Sequence, residues 1–146
     1  MMKTHALKGL KFQLPTSNVK VSEVGASVYA VELLDAAVPE GPAAWITIFF
    51  PSAEAVAAQA DPLSWFKASY LGSAKPAERE AQRLLLGQTV TGHFQQSKIP
   101  RKLNLEAYRV EVPGIGTVFF GFRQLQTLDQ AKAEAFFNDF TSSLSV

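Results

Sequence analysis

The sequence predicts an α+β fold: a three-layer α/β/α sandwich around a mainly antiparallel sheet, with the C-terminal helix on one face and the mid-chain helices on the other. Three observations lead there. Two segments, Trp45 to Phe50 and Thr117 to Arg123, are apolar on both sides of an extended strand and therefore need cover on both faces. Pro113-Gly114-Ile115-Gly116 is a tight loop between strand-like runs, which joins antiparallel neighbours. Helical periodicity is confined to the middle and the end of the chain, whereas a doubly wound parallel sheet would alternate helices with most strands.

Taken in order, Lys11 to Leu14 reads as a short strand stopped by Pro15. Val19 to Val24 and Ala26 to Leu34 are rich in β-branched residues and flank Gly25, the pattern of a hairpin. Asp35 to Ala44, with Pro39, Gly41 and Pro42, is a loop inside a domain. After the Trp45 to Phe50 strand, Ser52 can cap a short helix from Ala53 to Ala60. Asp61-Pro62 supplies an N-cap and a first-turn proline. The helix it opens, Leu63 to about Leu71, places Leu63, Phe66 and Tyr70 on one stripe and ends at Gly72. Pro76 is expected to start another helix, with Ala77, Ala81, Leu84 and Leu85 inward and Gly87 at its C′ position.

Strands return from Gln88 to Gln96, where Val90, Gly92 and Phe94 oppose Thr89, Thr91, His93 and Gln95. Leu105 to Val112 follows, then the hairpin into Thr117 to Arg123. Thr127 and Gln130 have capping-box spacing ahead of a helix striped by Leu128, Ala131, Ala135, Phe136, Phe140 and Leu144.

A chain of 146 residues, 47% hydrophobic and 18% charged, suits one domain over residues 1–146 with its own core. The absence of cysteine excludes disulfides, thiolate catalysis and sulfur-ligated zinc. Fourteen basic against thirteen acidic side chains leave a net charge of +1, which does not suit a nucleic-acid binder. The basic residues do cluster locally: Lys3, Lys8, Lys11 and Lys20 near the start, and Lys98, Arg101 and Lys102 in one loop. No apolar run reaches the length of a membrane span, and Met1 to Leu14 lacks a signal-peptide core. The expectation is a cytoplasmic protein, periplasmic or secreted only if a leader is removed, without stable membrane insertion.

The order of elements resembles the PsbP/DcrB-like superfamily. The residues that carry the likeness are Phe12-Gln13-Leu14-Pro15, the strand from Gly87 to Gln96, Ala107-Tyr108-Arg109-Val110 before a Pro-Gly hairpin, and the closing Ala135 to Leu144 segment. The resemblance implies a non-catalytic module. Members serve as extrinsic photosystem II subunits, as a binder of a small nuclear GTPase, as periplasmic or lipoprotein components, and, among cytoplasmic DcrB-like members, as chaperone-adaptors for type VI secretion effectors. Their roles use different surfaces, so no residue roles transfer.

A search for chemistry returns little. His5 and His93 have no carboxylate at ligand spacing, so no metal site is expected. No Gly-x-Ser-x-Gly elbow and no phosphate loop occur, and no cofactor is expected. An enzyme would require Glu32, His93 and Arg109 to converge in one pocket. The surplus of aromatics is more suggestive: Trp65, Phe119 and Phe137 exceed what the helix and strand stripes need. Trp65 and Phe137, with Lys98, Arg101 and Lys102, are therefore the expected partner surface. The expected function is a non-catalytic binding or adaptor module for a protein partner, monomeric or homodimeric. The alternative is a carrier for an apolar small molecule.

Overall fold

The computed structural model describes residues 1–98 and 101–146. Nine strands and three α-helices are present among them: β1 (Met2–Leu7), β2 (Leu10–Pro15), β3 (Val19–Gly25), β4 (Val28–Leu33), β5 (Ala44–Phe49), α1 (Ala53–Ala57), α2 (Pro62–Phe66), β6 (Arg79–Leu85), β7 (Gln88–Ser97), β8 (Leu103–Val112), β9 (Gly116–Leu125) and α3 (Gln130–Ser143). A single π-helical turn, Lys67–Leu71, prolongs α2. The fold is α+β and mostly antiparallel, as the sequence predicts.

Seven strands form one antiparallel sheet in the order β3-β4-β5-β9-β8-β7-β6. Two meanders, β3–β5 and β6–β9, meet where β5 pairs with β9, with Ile48 opposite Phe120 and Phe49 opposite Phe119. These are the two strands that the sequence makes apolar on both sides. Ala44, Ile46, Ile48, Val118, Phe120 and Phe122 face α3 and join one core cluster with Phe136, Phe137 and Phe140. Phe49 and Phe119 face the other way, against Val56, Phe66 and Leu71. The β1–β2 hairpin packs beside α3, where Phe12 lies 4.9 Å from Phe140, ring to ring. The C-terminal helix therefore covers one face and the mid-chain helices cover the other.

The helix starts follow their caps. Ser52 Oγ accepts from the Ala55 amide at 3.1 Å, and Asp61 Oδ1 accepts from the Ser64 amide at 3.2 Å. For α3 the cap is Asp129, accepting from the Ala131 amide at 2.8 Å, so the helix begins two residues later than a Thr127 capping box would start it.

One sequence expectation fails and one strand goes unanticipated, and the two share a feature. The segment from Pro76 to Gly87 is not a helix but the edge strand β6. Its Ala81, Arg83 and Leu85 are turned toward the core in a period of two. β1 is a strand that no expectation covered. Both begin hairpins with two-residue turns whose residues have positive φ: Lys8 (50°) with Gly9 (95°), and Leu86 (53°) with Gly87 (77°). Such turns match the twist of the flanking strands, but lysine and leucine are unusual at their first position. The gain on closing each hairpin outweighs the small cost of one left-handed residue.

Candidate functional site

The five residues expected to form a partner surface do not share one. Trp65 lies half-buried on the helical face away from α3, its ring 5.6 Å from Phe49 and 6.3 Å from Phe119. Phe137 lies on the opposite side of the sheet, 1% exposed, edge-on to Phe122 at 5.3 Å. It is core, because α3 turns both Phe136 and Phe137 inward. Phe119 is fully buried between Phe49 and Phe66. The aromatic surplus is consumed by having two cores, one on each face. Lys98 and Lys102 are exposed and Arg101 is half-buried; Ile99 and Pro100, between them, lie outside the described residues.

Glu32, His93 and Arg109 also fail to converge. All three point to the α2 side of the sheet, by the registers that link β4 to β5, β9, β8 and β7. Glu32 and His93 are nonetheless four strands apart, roughly 19 Å at one inter-strand spacing per step. Arg109 is engaged at the surface, its Nε 2.9 Å from Glu111.

What that face does assemble is a polar nest under the π-turn. Gly72, at φ 72°, ends the turn, and the Ser73 amide donates back to the Lys67 carbonyl at 3.2 Å. This geometry lays the Lys67 side chain across β7, where it is 1% exposed. Its Nζ donates to Gln95 Oε1 at 2.9 Å and to the Lys75 carbonyl at 3.3 Å. Gln95 Nε2 donates in turn to Ser73 Oγ. Lys67 forms no ion pair among the described residues. Asp61, the carboxylate whose charge it feels, is occupied by the Ser64 amide and hydroxyl. Burial pushes the Lys67 pKa down, and Asp61 offsets this in part. His93 adjoins the nest: its buried Nδ1 has no partner, and burial, then Lys67, hold its pKa below the usual imidazole value.

Lys67 was hidden in plain view. Positions 63, 66, 67 and 70 complete an i, i+3, i+4, i+7 stripe, so a lysine on the buried side of that helix could have been read from spacing. A second cation on this face, the half-buried Arg123, stacks 4.6 Å over Trp45 and donates to Thr47 Oγ1 at 3.1 Å. Burial lowers its pKa to about 10.

Two grooves lie on the α3 side. One, of about 400 Å³, runs between the free edge of β6 (Gln82, Arg83, Leu84) and α3 (Glu134, Asn138, Thr141). The other, of about 310 Å³, has Val19, Leu33, Leu34 and Phe136 in its wall and the Lys132–Asp35 ion pair at 3.1 Å beside them. No group of three or more His, Cys, Asp or Glu capable of holding a metal occurs among the described residues. Nor does any helix among them have the length and apolarity to cross a membrane.

No protein-family model matches this chain, and no curated protein matches it. The chain is similar to a crystal structure of a Pseudomonas aeruginosa protein of unknown function, with a TM-score of 0.45 and 16% identity over 94% of this chain and 91% of that one.

Proposed function

We propose that the chain is a non-catalytic binding module that holds an extended segment of a partner protein along the free edge of β6. The observation that carries this is the difference between the two ends of the large sheet. β3 has a register shift between Glu23 and Gly25, and such a bulge blunts an edge against pairing. β6 runs seven residues without a shift, pairs only with β7 among the described residues, and carries Leu84 at 61% exposed. The groove against α3 gives an added strand a second wall, so main-chain hydrogen bonds would supply affinity and the groove would supply selectivity. An adaptor role agrees with what the resemblance to the PsbP/DcrB-like superfamily implies. The groove beside Phe136, with its ion pair, supports the alternative of a small amphiphilic ligand.

Photo-crosslinking decides the matter. A benzophenone side chain at position 84, on β6, should form adducts with a protein partner in cells, while the same group at position 24, on β3, should not. Adding Leu84→Asp should abolish capture by a probe at position 82 without lowering the unfolding midpoint. Equal adducts at positions 24 and 84, or none at 84, would sink the proposal.

A further inference from the structure

We propose that the cavity between the Gly72–Lys75 turn and the end of β7 is a binding site for a phosphate-class oxyanion carried by a small molecule. The cavity holds about 470 Å³ and is lined by Gly72, Ser73, Ala74, Lys75, Ser97 and Lys98. That volume lies within the range of small-molecule sites and exceeds what a bare phosphate fills.

The chemistry follows from proton counting. A lysine ammonium can only donate, so the Gln95 atom facing Lys67 at 2.9 Å is the amide oxygen. The Gln95 nitrogen must then face Ser73, where it donates to Oγ. Ser73 Oγ also takes the Lys75 amide at 3.4 Å. Both contacts use the hydroxyl as acceptor, and its own proton is left to donate. Ser73 is only 8% exposed yet lines the cavity, so that proton is available to a group bound there. The chain Lys67 → Gln95 → Ser73 thus presents a donor at the cavity wall, polarised by a buried positive charge.

Charge points the same way. Lys67 lacks an ion-pair partner among the described residues, and a buried cation without a counter-charge is costly to keep. Lys75 and Lys98 add two exposed ammonium groups to the cavity lining, and no Asp or Glu lines it. An anion seated against Ser73 would supply the missing negative charge within one hydrogen-bond relay of Lys67. A phosphate monoester fits better than a carboxylate, having three acceptor oxygens for the hydroxyl and the two lysines. The site lies on the side of the sheet opposite α3, so it is independent of the β6 groove.

The test is a titration of the full chain with inorganic phosphate and, separately, with a nucleoside monophosphate, at constant ionic strength against sodium chloride. Amide shifts of residues 72–75 and 97–98 are the readout. Saturable shifts confined to those residues are expected, with the monoester binding at least as tightly as phosphate. Lys67→Met should weaken binding about tenfold or more, as loss of a hydrogen-bonded charge does. The surface variant Lys75→Gln/Lys98→Gln, which leaves the buried nest intact, should weaken it comparably and keeps the test decisive if Lys67→Met does not fold. Shifts that chloride reproduces, or binding undiminished in the Lys75→Gln/Lys98→Gln variant, would overturn the proposal, as would undiminished binding in a folded Lys67→Met.

Discussion

Two glycines on neighbouring parts of the sheet show how local packing sets the cost of a single methyl group. A Cβ on Gly92 would run into the Ala107 carbonyl oxygen and stand 2.5 Å from the Tyr108 ring, so main chain would have to move. The three atoms nearest a Cβ on Gly121 would all belong to the Leu71 side chain, the closest at 2.5 Å. Gly92→Ala should cost about 3 kcal/mol or more and Gly121→Ala about 1–2 kcal/mol, since a side chain relaxes more easily than a strand. Urea unfolding of both variants compares them, and equal costs would contradict the idea of a rigid β7–β8 contact. His93 governs another residue-level property. Its folded pKa lies below the unfolded value of 6.5, so between the two the unfolded chain binds more protons. Stability therefore falls as pH drops through 6.5 toward the folded pKa. His93→Gln should flatten that acid limb as the pH falls below the unfolded value of 6.5. His5 is lowered by burial, then by Lys3, and adds its own share, so His5→Gln is the necessary companion measurement. A His93→Gln curve parallel to the parent would place the acid sensitivity elsewhere.

Among the elements, β6 is the one whose anchoring most needs explaining, because it is an edge strand built from helix-forming residues. Arg83 holds it. The guanidinium, on a side chain 10% exposed, lies 2.7 Å from Glu106 on β8 and 3.3 Å from Glu134 on α3, and it sits 4.7 Å over Phe122. Burial alone would lower its pKa, but the two carboxylates outweigh it and the net shift is upward. Glu106 also accepts from Tyr108 Oη, whose pKa rises through burial first and Glu106 second. Glu106→Gln should destabilise the protein by about 2 kcal/mol, chiefly by leaving Arg83 with the more exposed Glu134 as its one remaining carboxylate partner among the described residues, and Arg83→Met added to it should restore part of the loss. A double variant as weak as the single one would refute that account. The same strand marks where sequence reasoning stops. Ala77, Ala81, Leu84 and Leu85 satisfy a helical stripe as well as Ala81, Arg83 and Leu85 satisfy a strand, and local propensity favours the helix. Pairing with β7 and the contacts of Arg83 decide the outcome, and both are long-range. Where a segment was apolar on both faces, as in β5 and β9, or was bounded by Asp-Pro and Gly, as in α2, the sequence was sufficient. The polar nest was half legible: alternation placed His93 and Gln95 on the correct face of β7, but nothing local showed that Lys67 would lie across them.

At the scale of the whole molecule, the sheet is two consecutive meanders with a single seam. β3 to β5 come from the first 49 residues and β6 to β9 from residues 79–125, and only the β5–β9 pairing joins them within the sheet. The layer on the α3 side is shared in the same manner: β2 is contributed early and α3 late, and they are tied by paired bonds of 2.8 Å between Lys11 and Ser145 and by Gln13 with Ser143. Each half thus carries one side of two apolar interfaces and cannot bury its phenylalanines alone. The largely exposed link at Ala58–Ala60, between α1 and Asp61, is where the chain passes from one half to the other. A polypeptide cut there becomes a complementation pair. Residues 1–59 and 60–146, each disordered when expressed separately, should regain the native circular dichroism spectrum only when mixed, with an affinity that Phe119→Ala weakens steeply. Fused to the two halves of a reporter, they would signal proximity between any two proteins that carried them.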